Sequence, residues 1–248
     1  MNLFIGCAGW SIPSRHADRF DTVGSHLERY AAVFNAVEVN SSFYRPHQAK
    51  TYARWANSVP AAFRFAVKVP KSITHESRLV GTNDALCRFV DEVQVLGEKL
   101  GSLIVQLPPS LAFAATTAVP FFATLRQCVP VPIVCEPRHS SWFEPAVESE
   151  LERCGISRVA ADPAVVPSAA NPGGSPGVAY FRLHGSPQMY HSAYGEDQMT
   201  ELVGRINAVA IQNTSVWCIF DNTAAGAATV NALEMRERFG ADGPGRSH

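Results

Sequence analysis

Short apolar or β-branched runs alternate along this chain with longer amphipathic segments, a pattern typical of parallel strands joined by helices. Eight runs predict strands: Leu3–Cys7, Ala36–Asn40, Arg64–Lys68, Ser102–Leu107, Ile133–Glu136, Arg158–Asp162, Ala179–His184 and Val216–Phe220. Seven segments between and after them predict helices: 25–34, 49–57, 83–100, 119–128, 144–154, 199–211 and 225–239.

The sixth crossover differs from the others. Residues 163–177 read PAVVPSAANPGGSPG, and their prolines and glycines predict an irregular loop instead of a helix. Eight strands with helical crossovers predict an α/β fold, a (β/α)8 TIM-type barrel that forms a single domain over residues 1–239. Residues 240–248, GADGPGRSH, are expected to be a disordered tail.

Composition and charge exclude several classes of protein. Of 248 residues, 46% are hydrophobic and only 17% charged, which supports a large core and argues against extended disordered segments. The net charge of −1 gives no overall attraction to nucleic acid or anionic lipid. No apolar run reaches the roughly 18 residues of a membrane helix, and the first five residues are too short for a secretory signal. We therefore expect a globular, cytoplasmic protein without a membrane partner.

The six cysteines show no Cys-x-x-Cys motif and no zinc-ligand spacing. Most of them lie inside apolar runs, which favours buried, reduced thiols. They are Cys7, Cys87, Cys128, Cys135, Cys154 and Cys218.

Polar residues recur on one face of the predicted strands, near their carboxyl ends. Residues two apart in a strand share a face, so the valines of the second strand leave Glu38 and Asn40 facing inward. Alternation adds further inward residues, at or just after strand ends: Arg64, Lys68, Gln106, Glu136, Arg138, Asp162, Tyr180, Arg182, His184 and Asn222. Barrel enzymes carry their catalytic residues at this end. Alternatively, Arg64, Glu38, Lys68 and Glu136 form a salt-bridge network that fills the interior.

The loops that follow the strands add aromatic and basic side chains to the same end: Trp10, Tyr44, His75, His139 and Trp142. Rings that stack beside cationic groups suit an anionic, planar or sugar-like ligand. The structural alternative is that Trp10, Tyr44 and Trp142 are lids over the core.

Several blocks of sequence carry a family resemblance: GCAGWS, FNAVEVNSSFYRP, FRFAVKVPKSITHE, LGSLIVQLPPSL, EPRHSSWF, YFRLHG and FDNTAAGAATVNA. Together, from about Gly6 to about Leu233, they resemble the YecE-like family, also called domain of unknown function 72. The resemblance implies a TIM-barrel fold and supplies no function. Two departures are visible: many members have Asn-Asn where this chain has Asp221-Asn222, and the segment after Trp10 is shorter, without the family's tyrosine-proline step.

The family's characteristic positions fall on residues that alternation mostly selects as well: Trp10, Glu38, Asn40, Phe43, Tyr44, Lys68, His75, Gln106, Glu136, Arg138, His139, Trp142, Asp162, Arg182, His184, Gly185, Asn222 and Asn231.

The residues favour an enzyme of hydrolytic type that acts on a polar, anionic small substrate, such as a phosphorylated metabolite or a sugar derivative. Lys68, Arg138 and Arg182 would hold the negative group. Either Glu38 or Glu136 would serve as general base, and His184 or His75 would donate a proton. The catalytic set includes Asp162, and the remaining substrate contacts are Trp10, Asn40, Tyr44, Gln106, His139, Trp142 and Asn222.

Two other classes stay open. Carboxylates and imidazoles could bind the metal of a barrel isomerase or nuclease, but no local ligand signature supports this, so no metal or cofactor is expected. The candidate ligands are Glu38, His75, Glu136, His139, Asp162 and His184. A non-catalytic binder of nucleic acid would use a basic set, which the neutral overall charge disfavours. That set is Arg45, His47, Lys50, Lys68, Lys71 and Arg138.

Overall fold

The computed structural model describes residues 2–210 and 215–240. The strands are β1 (Leu3–Cys7), β2 (Ala36–Val39), β3 (Arg64–Lys68), β4 (Leu100–Gln106), β5 (Ile133–Glu136), β6 (Ile156–Arg158), β7 (Ala160–Asp162), β8 (Gly173–Gly174), β9 (Val178–Leu183) and β10 (Ser215–Phe220). The α-helices are α1 (His26–Ala31), α2 (Ser41–Tyr44), α3 (Ala49–Asn57), α4 (Asn83–Val93), α5 (Ala115–Cys128), α6 (Pro145–Arg153), α7 (Glu196–Ala210) and α8 (Ala227–Arg238). The expected tail beyond residue 240 and the predicted helix end at Ile211 lie outside the described residues.

The strands form two sheets, ordered β1-β10-β9-β7 and β2-β3-β4-β5-β6-β8. The two-residue strand β8 runs antiparallel to β6, and the other strand pairs of both sheets are parallel. An isolated parallel bridge between Ala8 and Glu38 connects the chain after β1 to β2. This is the α/β fold with parallel strands that the sequence predicts.

The sixth predicted strand occurs as two pieces, β6 and β7, separated by Val159. β6 pairs with β5, whereas β7 pairs with β9 in the other sheet. The N–H of Val159 still donates to the carbonyl of Cys135, 2.9 Å away. The chain therefore passes from one sheet to the other within a single extended stretch.

Helix boundaries follow local signals in the sequence. Ser25 caps α1 in a capping box, with its side chain accepting from the Glu28 N–H and the Glu28 carboxylate accepting from the Ser25 N–H. The helix predicted over 83–100 ends at Val93 and continues as a 3-10 turn, because Gly97 adopts a left-handed φ of 58° before β4 begins. Residues 163–177 contain a 3-10 turn and β8 but no α-helix, as expected.

The two faces of the strands are packed differently. Side chains such as Val37, Phe65 and Val105 belong to the large core beneath the helices. A second buried cluster lies on the opposite face of the strands and includes Ala66, Ile104 and Trp217. This face is therefore apolar except near the carboxyl ends of the strands.

Arg64 corrects one prediction. It begins β3, is half-buried, and donates to the backbone carbonyls of Ala61 and Phe63. Its guanidinium therefore bonds to backbone at the amino end of its strand and forms no ion pair with any residue that the structure describes.

The cysteines also depart in part from expectation. Cys7, Cys135 and Cys218 are buried, but Cys87 is exposed and Cys128 and Cys154 are half-buried. Within residues 2–210 and 215–240, no helix has both the length and the apolar character needed to cross a membrane.

Candidate functional site

Arg182 on β9 lies at the centre of a group of carboxylates and is 0% exposed. Its Nε and Nη2 donate to the two oxygens of Glu38, at 2.9 and 2.5 Å. Nη1 donates to Glu136 Oε2, and Nη2 also reaches Asp221 Oδ2 at 3.0 Å. One guanidinium therefore holds three carboxylates, which come from β2, from β5 and from the residue after β10.

His184, two residues beyond Arg182, bridges two of these carboxylates. Its Nδ1 lies 3.0 Å from Asp221 Oδ2 and its Nε2 lies 3.0 Å from Glu136 Oε1. Arg138 forms an ion pair with the same Oε1 of Glu136, and its Nη2 lies 2.7 Å from His184 Nε2.

These six residues form the ion cluster: Glu38, Glu136, Arg138, Arg182, His184 and Asp221. Burial alone would raise the pKa of Glu136, but Arg182, Arg138 and His184 hold that pKa well below its ordinary value. The ion cluster contains three carboxylates and the two permanently charged guanidinium groups of Arg138 and Arg182, with the His184 ring between them.

Lys68 ends β3 beside the ion cluster and adds an ammonium group at this end of the strands. It is 6% exposed, and its Nζ lies 4.1 Å from the centre of the Phe43 ring. Among the described residues, no carboxylate forms an ion pair with Nζ. Burial, and then the charge of Arg182, lower the pKa of Lys68 to about 8, although the three carboxylates oppose this shift.

His75 packs edge-on against the same Phe43 ring, with ring centres 4.9 Å apart. Its Nδ1 lies 2.8 Å from Thr74 Oγ1, and the Thr74 hydroxyl donates to the carbonyl of Pro70. When the hydroxyl proton is donated to Pro70, Oγ1 can only accept from Nδ1–H, and Nε2 of the neutral ring then carries the lone pair. Burial and the nearby charge of Lys68 lower the pKa of His75, which favours this neutral form.

Three buried polar atoms of predicted site residues have no hydrogen-bond partner among the described residues: Asn40 Oδ1, Asn222 Oδ1 and Arg138 Nε. The Asn40 amide donates to Asp221 at 3.3 Å. The Asn222 amide donates to Ser192 and Asn231. Buried polar groups are almost always paired, so these atoms mark where a polar ligand or water would bond.

Two other predicted residues lie at the same end of the strands. Gln106 donates to Glu136 Oε2 at 3.3 Å and so extends the ion cluster. Tyr44 is 72% exposed and packs edge-on against Phe43, where it is free to touch a ligand.

Some predicted residues instead have structural contacts. Trp142 is buried in the core, with its indole N–H donating to the carbonyl of Leu111. His139 caps the short 3-10 turn that contains Trp142, its side chain accepting from the Ser141 N–H at 3.2 Å. Trp10 packs edge-on against Trp55 and the core. The 1% exposure of Trp142 fits the structural alternative, in which this side chain covers the core.

Asp162 does not join the other acidic residues. In register it lies beside Leu183, whose side chain packs in the core beneath the helices, whereas Arg182 faces the ion cluster. The Asp162 side chain lines a separate cavity of about 100 Å³ together with Tyr194 and Arg205. The expectation that it faces the interior is therefore corrected.

Asp221 is the residue of the ion cluster that is missing from the predicted site. Its signal was present, because alternation from Trp217 and Ile219 carries one more step to Asp221. Thr74 was also missed, since its effect on the His75 tautomer depends on a loop conformation that no strand pattern predicts. Among the described residues, no group of three or more histidine, cysteine or acidic side chains is placed to hold a metal ion.

Known proteins are similar to this chain along most of its length. The family described as "Protein of unknown function DUF72" matches residues 4–247. UPF0759 protein YecE of Escherichia coli K12 is 31% identical over 43% of this chain, and the match spans only 38% of that relative's length. UPF0759 protein YunF of Bacillus subtilis is 22% identical, with 95% of this chain and 94% of the relative covered.

Solved structures agree with this match. A crystal structure of a DUF72 family protein from Enterococcus faecalis V583 is 22% identical, covers 99% of this chain and 100% of its own, and has a TM-score of 0.80. Another DUF72 family protein, from Thermotoga maritima MSB8, is 23% identical and has a TM-score of 0.79. The match covers 97% of this chain and 100% of that protein's chain. These findings confirm the resemblance read from the sequence blocks, and the chain belongs to the DUF72 family of proteins of unknown function.

Proposed function

We propose that this protein is an enzyme of hydrolytic type that acts on a small polar substrate with an anionic group, bound at the carboxyl ends of the strands. The observation that carries this proposal is the buried Lys68 ammonium group, which forms no ion pair among the described residues. The carboxylates of the ion cluster are already paired with Arg138 and Arg182, so the Lys68 ammonium group is available to an anion in a nearly water-free position. Such a cation attracts a phosphate or carboxylate strongly.

The proposal places the site at the mouth of a (β/α)8 barrel of which the two sheets are the two arcs. The Ala8–Glu38 bridge and the passage through Val159 support closure at the two seams. The ion pair of Glu38 with Arg182 also joins β2 of one sheet to β9 of the other. In barrels of this kind the mouth carries the chemistry.

The substrate is expected to carry hydroxyl groups as well as an anion. Lys68 Nζ would bind the anionic group, while Asn40 Oδ1 and Asn222 Oδ1 would accept hydrogen bonds from hydroxyls. This combination fits a sugar phosphate or a hydroxy acid better than a purely apolar ester. Tyr44 would supply an exposed ring against the non-reacting part of the substrate.

His75 is the general base in this proposal, in place of the glutamates. Its free Nε2 lone pair can take a proton from an attacking water molecule. Glu38 and Glu136 are poorly suited to this step, because their oxygens already accept from Arg182 and other donors. They instead keep Arg182 and His184 in place, and Lys68 stabilises the charge that develops on the anionic group.

Thermal unfolding with inorganic phosphate or ribose 5-phosphate tests ligand binding. Both ligands should raise the melting temperature of the wild type and leave that of Lys68→Met unchanged. Lys71→Met is the matched control, because Lys71 is an exposed lysine in the following loop that pairs with Glu76 at 3.2 Å. The Lys71 variant should respond like the wild type, whereas an equal response from all three proteins would refute the Lys68 site.

Release of inorganic phosphate from a panel of sugar phosphates tests the catalytic step. We expect turnover by the wild type and at least a hundredfold loss in His75→Gln, the order of magnitude that general-base catalysis contributes. Thr74→Val should lower turnover less and shift its pH profile, because it removes only the hydrogen bond that orients the ring. Phosphate binding without turnover of any phosphate or carboxylate ester would refute hydrolysis and retain the binding site.

A further inference from the structure

Two cysteines on adjacent helices lie close together on the surface, far apart in sequence. Cys87 is exposed on α4, and Cys128 is the half-buried last residue of α5. Their Sγ atoms are 3.9 Å apart, although 41 positions separate them along the chain. Gln94, which follows α4, donates to the Cys128 carbonyl at 2.7 Å and so holds the end of α5 against this region.

The other thiols lack this arrangement. Cys7, Cys135 and Cys218 are fully buried, and burial raises the pKa of each thiol, that of Cys7 to about 12. Cys154 is half-buried, and no other sulfur lies near it among the described residues. Only the Cys87–Cys128 pair therefore combines access from solvent with a second sulfur within reach.

We propose that Cys87 and Cys128 form an oxidation site, which small disulfides such as oxidised glutathione convert into an intramolecular disulfide between α4 and α5. A disulfide requires an S–S distance of about 2.0 Å, so the two sulfurs must approach by about 2 Å in total. Side-chain rotation on two surface helices can supply a movement of this size.

The reaction proceeds by two thiol–disulfide exchanges. The exposed Cys87 thiolate attacks one sulfur of oxidised glutathione, forming a mixed disulfide and releasing one glutathione thiolate. The Cys128 thiolate then attacks the Cys87 sulfur and displaces the second glutathione. The protein loses two thiol protons and two electrons, and one oxidised glutathione becomes two reduced molecules. Burial and the contact with Cys87 raise the pKa of Cys128, so the second step should accelerate with rising pH.

The disulfide would close a loop that contains the second half of α4, all of β4 and all of α5. For a loop of this length, the reduced entropy of the unfolded chain predicts a rise in melting temperature of roughly 5–15 °C, less any strain. The site is independent of the proposed hydrolase function, because Cys87 and Cys128 lie on helices and not at the carboxyl ends of the strands.

Mass spectrometry of the native protein after incubation with oxidised glutathione tests the proposal. The wild type should lose the mass of two hydrogens, retain no glutathione, and yield a cross-linked peptide containing Cys87 and Cys128. Cys128→Ser should instead retain glutathione on Cys87. Cys154→Ser, the matched control, should cross-link like the wild type, and dithiothreitol should reverse the change.

Three outcomes would overturn the oxidation site. The wild type could keep glutathione on Cys87 without forming the cross-link, it could stay unmodified, or the cross-link could join a different pair. Melting temperatures of oxidised and reduced protein give a second readout. If oxidation raises the melting temperature of neither the wild type nor Cys154→Ser, the predicted stabilisation by a disulfide between α4 and α5 is absent.

Discussion

Arg182 and Glu38 form a two-point ion pair that joins the two sheets, with Nη2 2.5 Å from Oε1 and Nε 2.9 Å from Oε2. Both side chains are 0% exposed. A buried pair of this kind adds little net stability, but removing one partner leaves a charge without compensation. The guanidinium is therefore the group on which the geometry of the ion cluster depends.

Replacing Arg182 by methionine should destabilise the protein strongly. The change leaves Glu38, Glu136 and Asp221 buried together without their shared cation, at a cost of about 3–5 kcal/mol. Urea unfolding measures this loss. Arg64→Met is the matched control on β3, because Arg64 bonds only to backbone carbonyls, and it should cost about 1 kcal/mol or less. Equal losses in the two variants would show that Arg182 has no special structural role.

The free energy of unfolding at acidic pH should depend on Asp221. Burial raises its pKa, but Arg182 and His184 together lower the pKa below its ordinary value. A carboxyl whose folded pKa lies below its unfolded pKa stabilises the fold above the unfolded value, and this contribution is lost as the pH falls through the folded value. Asp221→Asn should thus be less stable than the wild type at pH 7, and the difference should shrink below about pH 4.

Urea unfolding from pH 2 to pH 7 would measure this convergence. The exposed Asp18→Asn variant should run parallel to the wild type throughout. A constant gap between Asp221→Asn and the wild type across the range would contradict the role given to Arg182 and His184.

Alternation along the strands predicted much of the ion cluster. Glu38, Glu136, Arg182 and His184 were all expected at one end of the strands, and they do converge there. Which of these side chains pair with one another could not be predicted, because the pairing depends on how the strands are arranged in space. Without that information the glutamates looked like free bases, whereas Arg182 and His184 occupy their oxygens.

Residues on loops were harder to predict, for a different physical reason. Trp142 is an aromatic residue after a strand, but its position depends on the path of the turn that His139 caps. Asp162 shows the limit within a strand, since the correct face is known only from its pairing with Leu183. The tautomer of His75 depends on the Thr74 hydroxyl, which has no strand periodicity.

The pKa of His75 should depend on the charge of Lys68. Burial and the Lys68 charge lower the pKa of His75, while Glu76 opposes them. In Lys68→Met the pKa should therefore rise towards the ordinary 6.5 without reaching it, because burial remains. Nuclear magnetic resonance of the imidazole nitrogens measures this value and also identifies the protonated nitrogen. A spectrum in which Nε2 carries the proton of the neutral ring would contradict the tautomer assigned from Thr74.

Phosphate affinity should fall as the pH rises above about 8. Lys68 loses its charge in that range, so binding should weaken about tenfold for each further pH unit. Calorimetric titration of the wild type and Lys68→Arg between pH 7 and pH 9.5 measures the trend. The arginine variant stays charged and should show a flatter profile. Parallel profiles would mean that another group controls binding.

The most direct test is the pKa of the Lys68 amine itself, measured by nuclear magnetic resonance with and without phosphate. We expect a value of about 8 in the free protein and a rise when phosphate binds, because the anion stabilises the charged amine. An ordinary lysine pKa near 10.5 that does not respond to phosphate would contradict the account.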